Sequence, residues 1–138
     1  MLRQRRTTNT PTARRRKAFL QQLPILREVI DQKGRYDAGR LRELIGWSLA
    51  EMGRYLDRDA TTILRSGSAK AHQNRLAALA TLFREVLGLM NGDLPAAIAW
   101  FRTPIPVLNW SSPCELIFNG QFQKVRSLVD ETRSGFAA

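Results

Sequence analysis

The chain has 138 residues, 43% of them hydrophobic, with 22 Lys and Arg against 12 Asp and Glu. That length suits one domain or two very small ones, and six Phe with three Trp supply enough apolar side chain for a core. No apolar run approaches the roughly 18 residues of a membrane helix, and Met1 to Lys17 has no apolar stretch behind its charges, which argues against a signal peptide.

The charge of +10 is unevenly placed. Residues 1–75 carry 17 basic and 7 acidic side chains, whereas residues 76–138 carry 5 of each. Seven basic residues (Arg3, Arg5, Arg6, Arg14, Arg15, Arg16, Lys17) stand in residues 1–17 with no acid among them. Such a block repels itself and suits a polyanion, so residues 1–17 are expected to be a disordered, nucleic-acid-binding arm.

From Arg14 to Lys33 the residues Phe19, Leu20, Leu23, Leu26, Val29 and Ile30 recur at helical spacing, with Pro24 starting or kinking a helix and Gly34 ending it. Leu41, Leu44 and Ile45 predict a short helix broken near Gly46. Ser48 with Glu51 forms a capping box for Leu49 to Leu56, and Asp59 can cap a further helix through Arg65. Ser66-Gly67-Ser68 is the expected boundary between residues 18–67 and 68–138. Beyond it, Leu76, Leu79, Ala80, Phe83, Val86, Leu87 and Met90 make a wide apolar stripe, expected to pack in a core or across a homodimer. Leu94 to Arg102 is another helix, stopped by Thr103-Pro104-Ile105-Pro106. Ser111 or Ser112 caps a helix with Pro113 in its first turn, closed by Asn119-Gly120. The last predicted helix runs from Gln121 to about Thr132, with Gly135 ending it and Phe136 projecting beyond. Alternating β patterns do not occur, so the predicted fold is all-α.

Catalysis finds little support. His72 is the only histidine, expected to be solvated or capping, which leaves no choice of base for a Ser or Cys nucleophile. The acidic residues are scattered, and neither a phosphate-cradling Gly loop nor metal-ligand spacing is present. No enzyme activity, cofactor or metal is expected. Cys114, alone, can form no internal disulfide; it reads as a core thiol in a reducing cytoplasm.

Leu41 to Arg65 reads L-R-E-L-I-G-W-S-L-A-E-M-G-R-Y-L-D-R-D-A-T-T-I-L-R. Two short capped helices joined by a tight turn are helix-turn-helix geometry, with the second helix reading the major groove. The segment resembles the Xre-type helix-turn-helix, close to L-x-x-x-G-x-S-x-x-E-L-A-x-x-L-G-V-S-x-x-T-L, at Leu41, Ile45, Ser48, Glu51, Met52, Gly53, Leu56, Thr62 and Ile63. Gly53 takes the position where the two helices cross closely. Asp57 stands where the turn glycine is usual, and Arg58 where an apolar residue is. Base or phosphate contacts would come from Arg58, Ala60, Thr61, Thr62, Leu64 and Arg65, with Arg14, Arg15 and Arg16 gripping phosphate.

Ala96 to Gly135 is similar to the toxin-binding domain of Xre/MbcA/ParS-type antitoxins, which carries W-L-x-T-P-N-x-x-L-x-G-x-x-P-x-E-L-L-x-x-G and then a spaced apolar helix with a terminal Gly. Matching positions are Trp100, Phe101, Thr103, Pro104, Leu108, Pro113, Glu115, Leu116, Ile117, Gly120, Val125, Leu128 and Gly135; Ile105 stands in place of Asn and Trp110 in place of Gly. The resemblance implies a homodimer that binds a RES-domain toxin, an enzyme that destroys NAD, and covers its active site with the C-terminal half. It also implies repression of the chain's own operon through operator DNA. The toxin-contacting surface carried over lies at Arg102, Asn109, Trp110, Arg133, Gly135 and Phe136. The alternative reading is a stand-alone dimeric helix-turn-helix regulator whose C-terminal half only dimerises.

Overall fold

The computed structural model describes residues 27–137, with side chains through residue 135; the basic arm, Arg14 to Arg16 included, lies outside them. The fold is all-α. In chain order the helices are α1 (Ala38–Ile45), α2 (Leu49–Leu56), α3 (Ala60–Ser66), α4 (Gln73–Leu89), α5 (Leu94–Arg102), α6 (Pro113–Phe118) and α7 (Phe122–Ala137). Short 3-10 turns occupy Lys70–His72 and Pro106–Leu108. Among the described residues the only extended pairings are two isolated bridges, Ile30 with Tyr36 and Ile105 with Ser111, and no helix is long and apolar enough to cross a membrane.

Local chemistry sets most of the ends. Asp37, Ser48, Asp59, Asp93 and Ser112 each accept a backbone N–H in the first turn of the helix that follows. Ser48–Glu51 and Ser112–Glu115 close full capping boxes. Gly46, at φ 76, ends α1 in the left-handed conformation a residue without a Cβ adopts freely.

Two expectations are corrected and a third, left open, is decided. No helix reaches Lys33: the Asp31 carboxylate takes the N–H groups of Lys33 and Arg35, both at 2.9 Å, turning the chain into the Ile30–Tyr36 bridge. The Gln73 amide then pairs with Tyr36, accepting its N–H at 2.8 Å and donating to its carbonyl at 2.9 Å. The last helix does not stop at Gly135, which lies inside α7; a glycine only permits a left-handed end, and here the i to i−4 ladder continues. The apolar stripe of α4 faces the chain's own interior: Leu76, Leu79, Ala80, Leu82, Phe83, Val86 and Leu87 are all buried. Of the two places expected for it, core or homodimer, the structure shows the core.

That core is continuous across Ser66–Ser68. Buried residues of α1, α2 and α3 (Leu41, Met52, Ile63) belong to one cluster with those of α4, α6 and α7 (Phe83, Ile117, Val125). Phe83 stacks on Phe101 at 5.8 Å between ring centroids, and Trp47 meets Phe118 edge-on at 4.8 Å. Cys114 is buried in this cluster, which pushes its thiol up to about 11, so it stays protonated and unreactive at neutral pH.

Candidate functional site

Two surfaces carry the residues that the sequence singles out. The first is the turn between α2 and α3. Asp57 closes α2 at φ 59, and its N–H reaches the Gly53 carbonyl. A Cβ on Gly53 would lie 2.4 Å from the Arg58 carbonyl oxygen, so the turn folds back directly onto the helix. On α3, Thr61, Leu64 and Arg65 are exposed at the i, i+3 and i+4 positions of one face, Leu64 to 70%. Arg58 joins them from the turn, its guanidinium donating to the Asp57 carbonyl at 2.8 Å. Thr62 is half-buried and its N–H is bound to the Asp59 carboxylate at 2.8 Å, which, with the Thr62 hydroxyl, holds that carboxyl below its ordinary range. The face thus mixes two cations with two acids at its edge.

The second surface is the loop from Thr103 to Ser112. Pro104 and Pro106 fix two φ angles. Backbone bonds then run from Ile105 N–H to Ser111 at 3.1 Å, from Leu108 and Trp110 N–H to Ile105, and from Asn109 N–H to Pro106. Inside this lattice Asn109 and Trp110 are both left-handed, at φ 56 and φ 64. Asn tolerates that region, whereas a bulky residue such as Trp pays about 1–3 kcal/mol there. The indole so held is 68% exposed, and Val107 nearby is 72% exposed. Beside them a groove of about 720 Å³ runs from Val107 and Asn109 to Lys124, Ser127 and Glu131 of α7.

Arg102, at the start of this loop, is engaged within the chain. Its guanidinium makes a two-pronged contact with the Glu51 carboxylate, at 2.7 and 2.9 Å, and donates to the Gly46 carbonyl at 2.8 Å. The Arg102 hydrogen bonds are the main reason that the Glu51 carboxyl falls from 4.5 to about 2. Arg133 lies elsewhere, bound at 3.0 Å to Glu85 of α4, which also holds Arg126. Of the six residues implied for toxin contact, Asn109 and Trp110 are adjacent and Arg102 anchors their loop. Arg133 and Gly135 lie on the last turns of α7, and the Phe136 side chain is outside the described residues.

His72 is not solvated: it is 4% exposed, and its Nε2 has no hydrogen-bond partner. It stands immediately before α4 without capping it. Burial, then the Arg58 charge, lowers its pKa, so the ring is neutral at physiological pH. Among the described residues no three His, Cys, Asp or Glu side chains converge as a metal cage.

Sequence reasoning missed the pairing of Arg102 with Glu51, 51 residues apart, and a cleft between α2, α4 and α7 described below. The first had no local signal. The second had a weak one, the aromatic residues Tyr55, Phe118 and Phe122, whose convergence spans more than sixty residues of sequence. No family model, no curated protein and no solved structure matches this chain.

Proposed function

We propose that this chain is the antitoxin of a type II toxin–antitoxin pair: a cytoplasmic homodimer that neutralises a RES-domain, NAD-degrading toxin and represses its own operon by binding DNA. What carries the reading is the backbone at the positions where the resembled patterns place glycine. Asp57 replaces the turn glycine and Trp110 replaces the loop glycine, yet both are left-handed, at φ 59 and φ 64, as is Gly120 at φ 81. Glycine is the default residue for that conformation. A side chain that departs from glycine there retains the backbone path at a cost, and exposed Trp is the residue type that most often anchors an interface.

In this reading Trp110 and Asn109 meet the toxin, while Arg102 holds their loop against α2 through Glu51. Arg133, Gly135 and Phe136 make a separate contact at the end of α7. On the other side, Arg58, Thr61, Thr62 and Arg65 face DNA together with Arg14, Arg15 and Arg16 of the arm. The test is growth rescue of cells expressing a RES-domain toxin. Full rescue by the whole chain and none by residues 1–67 is expected; rescue by residues 1–67 alone would sink the reading.

A stand-alone DNA-binding regulator is the second reading, favoured by the exposed Thr61–Leu64–Arg65 face and by the seven unopposed charges of residues 1–17. Both readings require DNA affinity that falls steeply with salt. Deleting residues 1–13 removes three arginines and should flatten the salt dependence by about 3. The two readings part where a toxin co-purifies with the chain from cells that express both.

A further inference from the structure

Arg54 and Arg75 are two exposed guanidinium groups that, among the described residues, take part in no ion pair. Both are nevertheless held still. Arg54 lies 5.4 Å over the Phe118 ring and donates to Asn119 Oδ1 at 3.0 Å. Arg75 donates to the Tyr55 carbonyl at 2.7 Å, and the Tyr55 hydroxyl donates back to the Arg75 carbonyl at 2.7 Å. Immobilising two cations without a counter-charge costs side-chain entropy and gains little inside the chain. They flank a cleft of about 490 Å³, within the size range of small-molecule sites, roughly 300–1,000 Å³.

The wall of that cleft is aromatic. Tyr55 and Phe122 stand 6.0 Å apart at a shallow 34° tilt, with Phe118 alongside. Tyr55 is buried, which pushes its hydroxyl up to about 12, and it backs the wall, while half-buried Phe122 in front of it presents the reachable ring. At the rim, Asn74 and Gln123 carry amides that can donate and accept, and Asp57 carries a carboxylate that only accepts. Arginines for a phosphate, a carboxylate for sugar hydroxyls, amides for ring edges and aromatic faces for stacking are the four chemistries of one ligand class.

We propose that the cleft between α2, α4 and α7 is a binding site for a free mononucleotide, its base against Phe122, which Tyr55 backs, and its phosphate between Arg54 and Arg75. The site joins α2 of the basic half to α7 of the neutral half; it shares Asp57 with the edge of the surface invoked for DNA but rests on neither the DNA nor the toxin reading.

The experiment titrates the full-length chain with each of the four ribonucleoside 5′-monophosphates, with adenosine and with inorganic phosphate, by calorimetry and NMR. At least one monophosphate should bind saturably and about tenfold more tightly than adenosine or phosphate. Arg75→Gln and Arg54→Gln should each weaken it about tenfold, and Asp57→Asn, which keeps a residue tolerant of the left-handed turn, several-fold. In the unsubstituted chain the Tyr55 and Phe122 ring protons should shift on binding, which makes the test independent of whether any variant folds. The proposal is overturned by absence of saturation in the millimolar range, by phosphate binding as tightly as the nucleotide, or by saturation without ring shifts, as binding at the basic arm would give.

Discussion

Two of the left-handed connections between helices, at Asp57 between α2 and α3 and at Asn109–Trp110 between α5 and α6, solve the same backbone problem with opposite economy. At the first, a short polar side chain that tolerates positive φ sits at the bend, and Gly53 lets the turn lie directly on α2. At the second, a bulky indole takes the strained position and points into solvent. A turn that only has to connect helices uses the residues that make it cheap. One that keeps a large apolar side chain both strained and exposed is the better candidate for binding a partner.

The tightest feature of the first turn is the approach of Gly53 to the Arg58 carbonyl, and its loss should have the largest effect. A methyl group 2.4 Å from a backbone oxygen cannot be relieved by rotating a side chain. Gly53→Ala should therefore destabilise the chain by about 3 kcal/mol, measured by urea unfolding. A loss below about 1 kcal/mol would mean that the turn can move off the helix, and the contrast in rigidity between the two turns would be wrong.

Trp110→Gly addresses the second turn. With the indole 68% exposed, little packing is lost, whereas a left-handed strain of about 1–3 kcal/mol is relieved against the greater freedom of glycine in the unfolded chain. The variant should be about 1 kcal/mol more stable and should bind the toxin about thirtyfold more weakly, an anchor loss of about 2 kcal/mol. Unchanged toxin affinity in pull-down titration would remove Trp110 from the interface.

How much of this was legible follows from the range of each interaction. The capping box at Ser48–Glu51, a serine cap before Pro113, the stop at Thr103–Pro106 and the all-α class come from contacts three or four residues apart, and the sequence spells them out. Which serine caps, and its box with Glu115, came from the structure. The inward destination of the Leu76–Met90 stripe is different, because periodicity says which residues share a face but not what covers it. Likewise the resemblance puts Arg102 in a toxin contact, and nothing local shows its pairing with Glu51, 51 residues away. His72 has polar neighbours in sequence yet is buried in the fold, and Gly135 lacks the second signal, such as a following proline, that would have stopped α7.

The Arg102–Glu51 pair ties the base of the second turn to the start of the helix that leads to the first, so it tests whether the turns are coupled. Glu51 has a carboxyl lowered to about 2 from an ordinary 4.5. Its contribution is therefore present above about pH 4.5 and is lost as the pH falls through about 2. With Glu51 27% and Arg102 40% exposed, solvent screening limits the pair to about 1 kcal/mol. Glu51→Gln should cost that amount at pH 7 and little near pH 2, by thermal unfolding across pH. Glu115→Gln, which alters a capping box with no such arginine, should show a smaller loss at pH 7. Equal losses in the two variants would reduce Glu51 to a local cap.

The smallest effect is expected at Asp57, and it is the most direct control on the comparison. Glycine there would relieve what little strain Asp feels at φ 59, but it adds conformational freedom to the unfolded chain, and the two terms nearly cancel. Asp57→Gly should change stability by less than about 0.5 kcal/mol, against about 1 kcal/mol for Trp110→Gly. The same substitution removes an acid next to Arg58, so DNA affinity at low salt should rise slightly and the gain should fade as salt is added. If instead Asp57→Gly stabilises the chain as much as Trp110→Gly, the two turns are equally strained. Strain would then no longer single out the Trp110 loop as a binding surface, and its case would rest on the exposed indole alone.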